Sequence, residues 1–152
     1  MNPRTSTERP KEVAMRTDEQ WYPGHLRDLD DSECRELLTE NRVGRVAWCE
    51  NGIPAMVPVN YRFDGEYVVF RTSAHSLLAR HFRDGPKAFQ IDDHDDFQQS
   101  GWSVLVQGES EVLEWDELPD PADRPQPWIG GNRNVHIRIS AEHISGRRVV
   151  PA

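Results

Sequence analysis

Arg71, Thr72 and Ser73, with Ser76 three residues further on, are the side chains best suited to chemistry in this chain. A guanidinium, neighbouring hydroxyls and the first amides of a following helix all donate hydrogen bonds toward negative charge, which is what a phosphate requires. The same residues also make an ordinary helix cap, so this short pattern leaves both readings open. Other chemistries are poorly represented. There is no G-x-S-x-G nucleophile elbow, and Gly130-Gly131 lacks the Lys-Ser/Thr of a phosphate loop. The run Asp92-Asp93-His94-Asp95-Asp96 holds hard-cation ligand types without the glycine and alternating spacing of a dedicated loop, and reads as a solvated acidic turn. No metal site is expected. His136 and His143 flank Arg138 and read as surface-strand histidines. With no acid, base or nucleophile singled out, any chemistry has to come from a bound group that the protein positions.

The composition narrows the classes. A chain of 152 residues, 36% hydrophobic and 29% charged, is sized and composed for one globular domain. No apolar run approaches the roughly 20 residues of a membrane span, and no secretory pattern opens the sequence, so a cytoplasmic protein without membrane contact is expected. A net charge of −8, with basic residues scattered, argues against a nucleic-acid partner. Cys34 and Cys49 form no C-x-x-C pair and are expected to be packed free thiols.

The elements that must hold Arg71 and its neighbours follow from periodicity. Residues 1–24 show none and read as a mobile arm preceding a domain over 25–152, with Trp21 and Tyr22 as its first contact. Asp30 or Asp31 caps a helix, Glu33 completes a capping box, and Cys34, Leu37 and Leu38 share a face up to Asn41. Period-two alternation then gives strands over 43–48, 55–63 and 66–72, joined by Asn51-Gly52 and Asp64-Gly65 turns. A helix over 73–82 is expected with Ser73 as cap and Leu77, Leu78 and Phe82 packed. Strands over 87–91, 101–115 and 135–139 follow, with an acidic loop at 92–100 and a Pro/Asp-rich loop at 117–131. The sum is mainly β: about six antiparallel strands with two short helices, a number that closes into a barrel.

Taken in order, these segments resemble the pyridoxamine 5′-phosphate oxidase-like family in its small actinobacterial-type branch. The likeness is carried by Glu33–Trp48 (ECRELLTENRVGRVAW), Pro54–Tyr61 (PAMVPVNY), Val69–Ala79 (VFRTSAHSLLA), Gly101–Gly108 (GWSVLVQG) and Arg138–Arg148 (RISAEHISGRR). It implies a split β-barrel homodimer with FMN at the interface between protomers, oxidising or reducing a small molecule by hydride transfer through the flavin. A deazaflavin or haem is the alternative occupant. A non-enzymatic carrier, or a dimeric scaffold with a vestigial pocket, is the alternative role. By resemblance, Val57, Pro58, Val59 and Asn60 run beside the isoalloxazine ring, and Arg71, Thr72 and Ser76, with Leu77 next in the motif, face the phosphate. Trp102 and Ser103 come from the strand beneath the ring, and Trp128 is a candidate to cover a partner's flavin. The family motif carries a lysine just after the serine matched by Ser76. This chain has Leu77 and Leu78, which leaves Arg80 or Arg83 as the expected substitutes.

Overall fold

The computed structural model describes residues 24–151. The expected arm, with Trp21 and Tyr22, lies outside them but for Gly24. Strand β1 (His25–Asp28) leads into helix α1 (Asp31–Glu40), which is followed by β2 (Val43–Glu50), β3 (Ile53–Phe63) and β4 (Tyr67–Thr72). A short helix α2 (Leu77–His81) precedes β5 (Pro86–Asp95) and β6 (Ser100–Val112). Two 3-10 turns, Trp115–Glu117 and Pro121–Asp123, punctuate a loop before β7 (Val135–Ser140) and β8 (His143–Val150). Among the described residues no helix is long and apolar enough to cross a membrane.

The turns form where the sequence placed them. Asn51 and Gly52 take φ of 49° and 77°, the positive pair that joins β2 to β3 with the strands' own twist. At the next turn the Asp64 carboxylate accepts from the amides of Glu66 and Tyr67 at 2.8 and 2.7 Å. The Asp30 carboxylate accepts from the Glu33 amide at 2.8 Å and the Glu33 carboxylate from the Asp30 amide at 2.9 Å, the reciprocal capping box of α1.

Strand order is β1-β8-β6-β5-β2-β3-β4-β7, and β7 pairs back onto β6. Six strands therefore close a mainly β, antiparallel barrel, with β8 and β1 extending the sheet beyond β6. Long strand β6 makes the closure possible by changing partners. Along one edge it pairs with β5 from Ser100 to Glu109. Along the other it pairs with β8 from Gly101 to Gln107 and with β7 from Ser110 to Val112. At the changeover, a Cβ on Gly108 would lie 1.8 Å from the Ser140 carbonyl oxygen, so only glycine fits.

The barrel interior is filled by Val46, Tyr61, Val68, Phe70, Phe89, Ile91, Val104, Val106, Ile137 and Ile139, all 1% exposed or less. Each such side chain contributes about 1.5–3 kcal/mol on burial. Tyr61 packs edge-on to Phe89 at 4.7 Å between centroids, and its hydroxyl donates to the Leu38 carbonyl at 2.7 Å, tying α1 to the barrel. Phe82 packs edge-on to Trp48 and Phe70.

Several expectations are corrected. The barrel has its six strands, but β1 and a full β8 add two, held by ladder pairing with β6 and with each other while Leu26 and Val149 stay exposed. Residues 92–95 belong to β5 instead of a loop: Asp92 and Asp93 sit opposite Ser103 and Trp102, and Asp92 meets Arg45 at 2.9 Å. Helix α2 is five residues long and capped by Ser76, not Ser73; it buries Ala79, followed by Phe82, and leaves Leu77 48% exposed. Cys34 is buried, whereas Cys49 is exposed.

Replacing Gly108 by alanine forces a methyl group into backbone that cannot rotate aside. G108A should lose about 3 kcal/mol, the upper end of overpacking costs, read as a lower urea midpoint. An unchanged midpoint would mean that closure does not depend on this approach.

Candidate functional site

Strands β3 and β4 pair only from Tyr61 opposite Phe70 to Phe63 opposite Val68. Beyond Tyr61 they part. Residues 53–60 keep β2 on one side, and among the described residues the other edge has no strand partner. Pro54 and Pro58 suit such an edge, since neither has an amide hydrogen to leave unpaired. Into the opening between the strands project Asn60 from β3 and Arg71 from the end of β4.

The loop from Leu113 to Asn134 covers this region. The Trp128 amide donates to Asn60 Oδ1 at 2.9 Å, and Arg71 donates from Nε to the Arg133 carbonyl at 3.0 Å and from Nη1 to the Pro125 carbonyl at 3.4 Å. Between loop and strands lies a recess of about 80 Å³, lined by Pro58, Val59, Asn60, Arg71, Leu78 and Arg133 among others. That volume suffices for a group of phosphate size. Arg133 Nε is buried there without a hydrogen-bond partner. Among the described residues neither Arg71 nor Arg133 is paired with a carboxylate.

Thr72 and Ser76 do not line this recess, and their hydroxyls are already engaged. Thr72 is buried, its Oγ1 lies 2.6 Å from Ser76 Oγ, and Ser76 Oγ accepts from the Ala79 amide at 3.2 Å. One hydroxyl hydrogen satisfies the Thr72–Ser76 contact, so the pair retains a single free O–H. A five-residue helix also contributes little dipole. Arg80 and Arg83 are exposed and do not line the recess; the second guanidinium comes from Arg133 in the loop.

The remaining candidates are distributed as follows. Val57 and Val59 are half-buried against the core, and Leu77 faces outward while Leu78 lines the recess. Trp102 and Ser103 stand elsewhere in the chain, on β6, opposite Arg148 and Arg147 of β8. They line a hollow of about 430 Å³ together with Leu26, His94 and Val149. Trp128 is 79% exposed.

A family model described as pyridoxamine 5′-phosphate oxidase matches residues 30–148, from the cap of α1 through β8. The chain belongs to that family. Similar chains include an uncharacterized protein of Mycobacterium tuberculosis, 28% identical over 81% of this chain and 85% of the relative. Among solved structures, the FAD binding protein from Mycobacterium smegmatis is 26% identical with a TM-score of 0.63, over 82% of this chain and 98% of that one. An FAD-binding protein from Mesorhizobium loti is 28% identical with a TM-score of 0.64, over the same shares.

Two residues near the recess escaped the sequence reading. Arg133 lies just past a Pro/Asp-rich stretch with no period to place it. His136 was expected on a surface strand; it is 3% exposed, and both ring nitrogens are buried without partners. It sits directly opposite Arg71 in the β4–β7 pair and so shares its sheet face. The covering loop, which β-strand alternation cannot foresee, is what buries it. Burial first, then the Arg71 guanidinium, hold His136 below the usual histidine range, so the ring is neutral at neutral pH.

The sign of the resulting pH effect is fixed. Above the unfolded histidine value of about 6.5 the ring is neutral in both states and favours neither. As pH falls through that value the unfolded chain takes up a proton that the folded chain refuses, so stability declines until the lower folded value is reached. Urea midpoints measured between pH 7.5 and 5 should fall more steeply for the wild-type protein than for His136→Gln. Parallel profiles would rule out a buried neutral His136.

Proposed function

We propose that this chain is a flavin-dependent oxidoreductase acting on a small molecule, working as a homodimer with the flavin between protomers. The observation that carries the reading is the unpaired edge of β3, which ends at a recess holding Arg71. An open strand edge offers amides and carbonyls to the polar rim of a planar heterocycle, and a guanidinium at its end matches a phosphate. The residues present fit the group: the buried, unpartnered Arg133 Nε is a donor awaiting an acceptor, and the recess has phosphate volume. Bound there, a flavin supplies two-electron chemistry by hydride transfer at its N5 atom.

This chain's own residues bind, orient and shield. Val57 to Asn60 supply the strand edge, Arg71 binds the phosphate, and the Thr72–Ser76 pair keeps one hydroxyl hydrogen to offer. The lining groups comprise arginines, an amide and apolar surface, with no acid or base. A substrate must therefore bring or lose its proton through solvent or through its own groups.

The dimer reading rests on two features. Ile53 and Met56 on the open strand are 70% and 58% exposed, an apolar surface suited to a second copy. Trp102 and Ser103, which lie in a different hollow of the same chain, would meet the ring only from the partner. The relatives described as FAD-binding favour a flavin, and the recess takes the phosphate that FMN shares with the FMN half of FAD. A carrier role is the second reading, favoured by the absence of an acid or base in the lining.

The test is an absorption spectrum of the purified protein after incubation with FMN or FAD and removal of excess. The protein should retain about one flavin per chain, migrate as a dimer, and bleach on adding a nicotinamide donor. Retention without bleaching by any donor would favour the carrier, and a colourless protein with either flavin would refute flavin binding. The FMN-to-FAD ratio retained identifies the native form.

A further inference from the structure

Two guanidiniums share one small recess with no carboxylate between them, in a chain whose net charge is −8. Acidic groups are plentiful, and four arginines among the described residues are paired with them: Arg27 with Glu33, Arg35 with Asp31, Arg45 with Asp92, and Arg138 with Glu111 and Glu117. Arg71 and Arg133 do not. Like charges held together under a covering loop repel, and a buried N–H without an acceptor carries its full desolvation cost. An anion between them removes both penalties.

The arrangement is built by the two residues on each other. Arg71 Nε donates to the Arg133 carbonyl, so the bond that orients the first guanidinium also fixes the backbone carrying the second. Two of the five N–H donors of Arg71 go to loop carbonyls and three stay free. Arg133 Nε is buried without a partner. Leu78 occupies the α2 side of the recess, so cationic charge enters only from β4 and from the loop.

We infer that Arg133, carried by the loop before β7, is a phosphate-binding residue of this site and forms with Arg71 a two-arginine clamp on the flavin's phosphoryl group. This rests on the flavin reading above. The clamp supplies from a loop the second cation that α2, with Leu77 and Leu78, does not provide. It makes the site selective for flavins bearing a phosphate, because riboflavin offers the two guanidiniums no anion.

The test compares FMN with riboflavin, which lacks the phosphate, by flavin-fluorescence titration of the full-length protein. Arg133→Gln should weaken FMN binding about ten- to a hundredfold, the loss expected for one charge-assisted contact, and leave riboflavin within about twofold. Arg133→Lys should fall between wild type and R133Q, since it keeps the charge without the fork. Unchanged FMN affinity in R133Q would overturn the assignment. So would an equal loss for both flavins, which would mark a structural role. If the wild-type protein binds neither flavin, the flavin reading fails, and inorganic phosphate then decides the clamp. A rise in melting temperature with phosphate, present in the wild type and absent in R133Q, would sustain it; no rise in the wild type would end it.

Discussion

The close crossing at Gly108 is the constraint on which the rest of the structure depends. Strand β6 must pair with β8 from Gly101 to Gln107 and with β7 from Ser110 to Val112, and the β7–β8 turn has to pass over it where the partners change. The Ser140 backbone comes too near for any side chain on Gly108. Were the turn pushed away, β7 would lose β6, and the ring of six strands would open along that seam. The core residues on β6 and β7, Val104, Val106, Ile137 and Ile139, are buried only because that seam is shut.

Closure at one seam is matched by separation at another. Strand β4 is committed along its whole length to β7, while β3 is committed to β2, and the two share only three opposed pairs. The barrel's geometry thus leaves the first part of β3 with an open edge and Arg71 at the end of β4 facing it. A loop lies over the gap, and its carbonyls, having no ladder partners, are satisfied by arginines. Arg62 donates to the Ala122 carbonyl at 2.9 Å, Arg124 to that of Pro119 at 2.8 Å, and Arg71 to those of Pro125 and Arg133. Buried peptide groups must find partners, and here side chains substitute for a sheet.

Much of the framework was legible in the sequence, and the reasons separate cleanly. Asn51-Gly52, Asp64-Gly65 and the Asp30–Glu33 box are local devices whose chemistry acts within four residues, so they formed where the residues stood. Alternation located β2, β3, β4, β6 and β7 because each presents one face to a single core. It missed the end of β5, since Asp92 and Asp93 pair through their backbones while their side chains stay in water. It misjudged α2 because spacing alone made Leu77 equivalent to Leu78, whereas a single turn of helix can bury only one side. By residue type the Arg71 region reads as an anion site, and the structure places Arg71 in a small recess. The region's hydroxyls proved to be partly spent on capping, and Arg133 and His136 were invisible because a loop without periodicity brings one in and buries the other.

The origin of the second cation changes how such a site behaves. A lysine on a helix is positioned by the helix whether or not a ligand is present. Arg133 is positioned by a loop whose ties to the barrel include the Trp128–Asn60 bond, the bonds from Arg71 and Arg62, and the Arg138–Glu117 pair. Its guanidinium lines the same recess as that of Arg71, so on the proposed assignment the unliganded loop carries a repulsion that the bound phosphate removes. Ligand binding then stabilises the loop by the same free energy with which the ordered loop favours the ligand. The loop also buries His136, whose neutrality depends on that cover. Phosphate affinity, loop order and the protonation of one histidine are therefore coupled through Arg71, which touches the loop, lines the recess and faces His136 across the strand pair.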